Sequence, residues 1–248
     1  MFARYRAARR LFAAVLLVVS SFAGAADLRI SLPLLPPMVE SRSKGPLVQL
    51  AQAIAREWGE GKVTILGPIP FEQSVDNVVS GRADVHFPLI ASPARYEDDL
   101  PYRYSNVTLY ETPFALYTRK DNARINRQQL TIAALSKLRI ETERAHTPLF
   151  FFQLREADSI EAGLKRVSSG QSDGFLFSIS ATEPVLKRLK LDNVVRTPYR
   201  RYQSKMVLAK GPAGEELDEK LGLIIDRLKD SGEYQRIMAP VLGEAPAN

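Results

Sequence analysis

The 248-residue chain has no cysteine, only two histidines and a single tryptophan. Each shortage excludes a class. Without cysteine there is no disulfide scaffold, no Cys-ligated zinc or iron–sulfur centre, and no thiol nucleophile. His86 and His146 are too few for a His-rich metal site, so no metal and no cofactor is expected. Beyond the N-terminus no run of about 20 apolar residues exists to span a bilayer. Gly-x-Ser-x-Gly and phosphate-cradling glycine loops are also absent, which removes the commonest hydrolase and nucleotide-binding signatures. What is present is globular: 45% of residues are hydrophobic and 25% charged, too apolar for disorder. The length suits one or two domains with a real core.

The formal charge of +6 is largely a matter of the first 25 residues. Met1 to Arg10 carries Arg4, Arg6, Arg9 and Arg10 and no acid. The apolar stretch Leu11 to Val19 follows, then the small-x-small triplet Ala23-Gly24-Ala25. This pattern is that of a secretory signal peptide (1–25) cleaved near Ala25, and the apolar run is too short for a membrane span. Its removal leaves 30 bases against 28 acids, so no nucleic-acid partner is expected. Arg9-Arg10-Leu11-Phe12 is similar to a twin-arginine signal, but with no evident cofactor to fold around, the ordinary secretory route is favoured. No cysteine follows to carry a lipid anchor. The expected product is a soluble periplasmic monomer.

Along the mature chain, segments of strand and helix periodicity alternate in the manner of a parallel sheet. Strands are predicted at Asp27–Leu32, Val63–Leu66, Ala83–Phe87, Thr112–Thr118, Leu138–Thr142, Asp173–Ser178 and Lys205–Ala209. Helices are predicted at Pro46–Trp58, Phe71–Ser80, Ala145–Leu154, Ser159–Ser168, Thr182–Leu189, Glu215–Lys229 and Glu233–Met238. Pro33, Pro36 and Pro37 mark a loop, since proline donates no backbone hydrogen bond. The stretch after Phe87, rich in Asp, Pro and Tyr, is also expected to be loop. The polar segment Arg119–Asn126 marks a crossover between two loosely similar α/β sets, hence two lobes and a cleft.

Four segments in this order resemble the extracellular solute-binding proteins of ABC transporters, of the kind typified by polar amino acid receptors. They are Ser80-Gly81-Arg82-Ala83-Asp84-Val85; Ser92-Pro93-Ala94-Arg95 with the strand ending Leu116–Asp121; Ser169-Gly170-Gln171-Ser172-Asp173-Gly174; and Leu228–Ile237. The resemblance implies a two-lobe periplasmic-binding-protein-like α/β fold of type II, each lobe a small mixed sheet flanked by helices. Lobe 1 would be 26–117 plus 206–248, and lobe 2 would be 118–205. It further implies a small-molecule ligand, polar or anionic, held between lobes and delivered to an inner-membrane permease. A dehydratase on the same fold and a ligand-sensing partner of a membrane receptor are the alternatives.

The same resemblance marks the candidate binding residues. Arg95 stands where the family holds a ligand carboxylate, and a guanidinium fork suits that pairing; the alternative is a surface pair with Glu97, Asp98 or Asp99. Ser92 and Ile90 stand in the supporting segment, but Ile90 brings no hydroxyl and Pro88 no N–H. Arg144 and His146 replace small residues at an expected strand-to-helix turn, facing either cleft or solvent. Ser178 takes the place of the aspartate that receives an amino acid's ammonium, which points to an anionic or modified ligand unless Glu143 or Glu111 compensates. His86 is expected to be a half-buried structural histidine. Phe71, Tyr102, Tyr110 and Phe150–Phe152 are candidates for the cleft wall, with core packing favoured for the last three.

Overall fold

The computed structural model describes residues 26–242, so the segment 1–25, expected to be a signal peptide, lies outside the described residues. Eight strands form one continuous sheet in the order β2-β1-β3-β8-β4-β7-β5-β6. Its first end is β1 (Leu28–Pro33), parallel to both β2 (Val63–Ile69) and β3 (Val85–Ile90). Its other end is β5 (Ile140–Glu143), parallel to β6 (Arg155–Ala157) and β7 (Gly174–Ser178). Two long antiparallel strands join the ends: β4 (Arg103–Arg119, 17 residues) and β8 (Val194–Leu208, 15 residues). The helices are α1 (Pro46–Glu57), α2 (Phe71–Val79), α3 (Ile132–Leu135), α4 (Ile160–Ser168), α5 (Ile179–Leu189), α6 (Pro212–Asp230) and α7 (Glu233–Leu242).

Local chemistry explains several boundaries. Pro46 opens α1, where its missing N–H costs nothing, and Leu47, Leu50, Ala51 and Ile54 form the buried face. The Ser159 hydroxyl accepts from the Ala162 amide to cap α4. The two similar glycine-containing segments do the same work at the two ends of the sheet. Gly81 and Gly170 take φ of +72° and +77°, a conformation that favours glycine. Asp84 then accepts from the Arg29 backbone N–H at 2.7 Å and its Nη2 at 2.6 Å, while Arg29 Nη1 reaches the Gly81 carbonyl at 2.8 Å. Asp173 likewise accepts from the Arg139 N–H at 2.8 Å, and Arg139 Nη2 reaches the Gly170 carbonyl at 3.1 Å. In each half, an Arg at the start of the first strand is tied to the turn that feeds a neighbouring parallel strand.

Two main hydrophobic cores result. One gathers β1, β3, α1, α6 and α7 around Ile30, Phe87, Leu50, Ile224 and Met238. The other gathers Phe114, Tyr117, Leu164, Phe175 and Leu176. Core membership changes between Tyr110 and Phe114 on β4, and back between Tyr202 and Met206 on β8. The change therefore falls before the polar segment Arg119–Asn126, from which Ile125 already packs in the second core.

Several expectations are corrected. The strand predicted at Thr112–Thr118 begins nine residues earlier, at Arg103, and that at Lys205–Ala209 begins at Val194. Charged residues mask both: Glu111, Arg200 and Arg201 lie on the exposed faces of strands that pair with each other. The helix predicted at Ala145–Leu154 is a 3-10 turn, Arg144–Leu149, because Pro148 has no amide to donate and disfavours helix in the residue before it. Phe150 and Phe152 are buried beyond it, whereas Phe151 is exposed. α5 begins at Ile179 rather than Thr182. His86 is wholly buried rather than half-buried, since β3 lies between β1 and β8.

Candidate functional site

A cavity of about 630 Å³ lies between the two cores. Its walls are the carboxyl ends of the parallel strands, which is where open α/β sheets place their ligand crevices. From the first half come the loop Leu34–Met38 after β1, Phe71 and Glu72 after β2, and Pro88–Ile90 at the end of β3. From the second come Glu143 at the end of β5, Ile160 after β6, and Ser178, Ser180 and Ala181 at the β7–α5 junction. The crossing strands complete the site with Tyr110, Glu111, Thr112, Pro113 and Ser204. Thr112 and Ser204 hydroxyls are 2.7 Å apart across β4 and β8, tying the strands where the cores change over.

The walls are chiefly apolar, with Phe71, Tyr110 and Phe177 as aromatic surfaces. The charged side chains among the lining residues are Glu72, Glu111 and Glu143; no Arg or Lys is among them. His146 Nδ1 lies 3.3 Å from Glu143 Oε2. That partnership holds the Glu143 carboxyl below the usual carboxylate range, against the opposing effect of burial. The His146 ring stands edge-on to Phe177, with centroids 4.7 Å apart. Glu111 faces Arg201 at 3.5 Å, both side chains being well exposed. Glu72 occupies the first turn of α2, where an acid complements the helix dipole.

The candidate residues divide over this geometry. Ile90, His146 and Ser178 line the cavity, together with Glu143 and Glu111. Arg95 is exposed on the loop after β3 and outside the lining, and makes no ion pair among the described residues. Arg144 turns outward to Glu156 at 2.8 Å. Ser92 lies outside the lining too, but its hydroxyl donates to the Pro148 carbonyl at 2.8 Å, a direct bond from the first half to the second. Phe71 and Tyr110 are in the wall, whereas Tyr102 packs in a small separate cluster under α2. Sequence reasoning passed over Leu34–Met38, Glu72, Phe177 and Ser180–Ala181. All but Phe177, which is in β7, follow strand ends, and the predicted parallel strands already marked those positions.

A scan against protein-family models finds no match, and a search of curated proteins finds none either. Solved structures do match. A histidine kinase sensor domain with similarity to periplasmic binding proteins aligns at a TM-score of 0.61 and 19% identity, covering 88% of this chain and 97% of that one. An amino acid ABC transporter substrate-binding protein from Streptococcus pneumoniae, bound to L-arginine, aligns at 0.58 and 18%, covering 86% and 93%. An ancestral amino acid-binding protein, a precursor of cyclohexadienyl dehydratase, aligns at 0.57 and 18%, covering 86% and 94%. The chain thus has the two-lobe periplasmic-binding-protein-like fold. Among the described residues no helix is long and apolar enough to cross a membrane.

Proposed function

We propose that this chain is an exported solute-binding protein that captures a small metabolite between its lobes and delivers it to an ABC permease in the inner membrane. The observation that carries this reading is the cavity itself. Every parallel strand of both halves directs its carboxyl end into one apolar space of about 630 Å³, a size that encloses a small organic molecule. The lobes would be bounded near Glu111–Pro113 and Tyr202–Ser204, where core membership changes, and closure would bend these two strands. The basic, short apolar N-terminus supports export. Amino acid-binding proteins of the same fold support the class of ligand, and the permease is proposed by the same likeness.

The experiment is a thermal-shift screen of small metabolites on purified 26–248, repeated with Ala181→Trp. Ala181 is exposed at the cavity wall, so the indole fills the space without disturbing a core. A ligand at 100 times its Kd adds about 2.7 kcal/mol, or several degrees in Tm. The shift should vanish in Ala181→Trp. If no metabolite shifts the wild type, or the shift survives the block, binding in this cleft is wrong. A second reading rests on the Glu143–His146 pair, an acid and a base in contact at the cavity edge, as a dehydratase would need. Product analysis of every hit separates the two, since a binder returns its ligand unchanged.

A further inference from the structure

We infer that the cleft takes an apolar organic cation that carries no carboxylate, an amine or quaternary ammonium on a hydrophobic body. This deepens the solute-binding reading and rests on it. The expectation from sequence was the opposite, an anion held by Arg95, with Arg144 and His146 adding positive potential. In the structure Arg95 and Arg144 lie outside the cavity lining, while Glu72, Glu111 and Glu143 are within it. Arg201 offsets Glu111 at 3.5 Å. His146 lies against Glu143 at 3.3 Å in the same way, which leaves Glu72 as the lining carboxylate that makes no ion pair among the described residues.

An anion entering this space would meet those carboxylates with no guanidinium or ammonium to answer them. A zwitterionic amino acid satisfies one end only: its ammonium has Glu72, but the one base in the lining already lies against Glu143. Burying the unpaired carboxylate would be costly. The start of α5 at Ser178–Ser180 does favour negative charge, but a helix N-terminus amounts to about half a charge. The start of α2 is already answered by Glu72. A cation avoids both penalties. Its charge sits by Glu72, the lining carboxylate left without an ion pair among the described residues, with the Phe71 ring in the same wall. Its body is matched by the apolar walls of Leu35, Phe71, Leu89, Leu149 and Ile160.

The test uses three probes that share a phenyl body: 3-phenylpropylamine, phenylalanine and 3-phenylpropanoate, each titrated calorimetrically into 26–248 at pH 7.5 and low salt. The amine should bind at least about tenfold more tightly than either other probe, and Glu72→Gln should weaken it by about tenfold. Glu72→Gln is an exposed change that leaves folding intact, and Glu143→Gln, which removes a second carboxylate from the lining, should weaken the amine in the same direction. The inference is overturned if the anion or zwitterion binds as tightly as the amine, or if neither Gln variant changes amine affinity. It is also overturned if no probe binds while another metabolite does so in a manner blocked by Ala181→Trp, an outcome that leaves the solute-binding reading standing. If nothing binds at all, both fall.

Discussion

Acidification offers a quantitative test of the first core, because His86 is wholly buried between β1 and β8. Its Nδ1 lies 2.7 Å from the Ser74 hydroxyl, which lies 2.8 Å from that of Ser31, and Asn77 Nδ2 donates to Ser31 at 3.3 Å. The Phe71 ring stands edge-on to the imidazole at 5.4 Å. No carboxylate is in this set, and Nε2 is buried without a hydrogen-bond partner. An imidazolium would need an acceptor at both nitrogens, so burial lowers the pKa from 6.5 to about 3. In the unfolded chain the ordinary value returns. Below about pH 6.5 the unfolded state therefore binds the extra proton, and stability falls as pH drops toward 3, by at most about 1.4 kcal/mol per pH unit. Between pH 6 and pH 4 this amounts to about 2–3 kcal/mol from one residue. The assay is urea denaturation of 26–248 at unit pH steps, with His86→Gln alongside. Carboxylates titrate in both proteins and cancel in the difference. The variant should be the less stable at pH 7 and lose ground more slowly on acidification, so the two curves converge. Parallel curves from pH 6 to pH 4 would refute a neutral, buried His86.

Two further outcomes follow from packing and topology. A Cβ added at Gly163 in α4 would lie 2.5 Å from Cδ2 of the fully buried Phe175 ring. Gly163→Ala should therefore destabilise by about 1 kcal/mol net, overpacking outweighing the usual helix gain, and chemical denaturation showing a gain instead would mean that the ring yields. Saturating ligand should reduce the radius of gyration in small-angle scattering as the lobes close over the crossing strands; an unchanged curve at saturation would sink hinge closure while leaving binding intact.

Most of the order of elements was legible in the sequence because strand and helix periodicities are local properties, whereas the short β6 and α3, of three and four residues, were not predicted. Ile30 and Leu32 alternate with polar residues, the apolar face of α1 repeats at helical spacing, and Gly81 and Gly170 stop helices by conformation alone. The Asp84 and Asp173 motifs were visible as strings, but their role as ties to Arg29 and Arg139 was not, since each spans more than 30 residues of chain. The long extent of β4 and β8 was hidden because each pairs with a partner about 90 residues away, and pairing across the crossing outweighs the charges of Glu111 and Arg201. Pro148 was present to forbid the helix after β5, and the run of apolar residues around it obscured that signal. The site depended most on tertiary structure. Which side chains share a cavity is set by where strand ends converge, and no spacing rule puts Glu72, Glu143 and Phe177 around one cavity. Arg95 is suited to a carboxylate by its chemistry alone, but the path of the loop after β3 places it on the surface, outside the cavity lining.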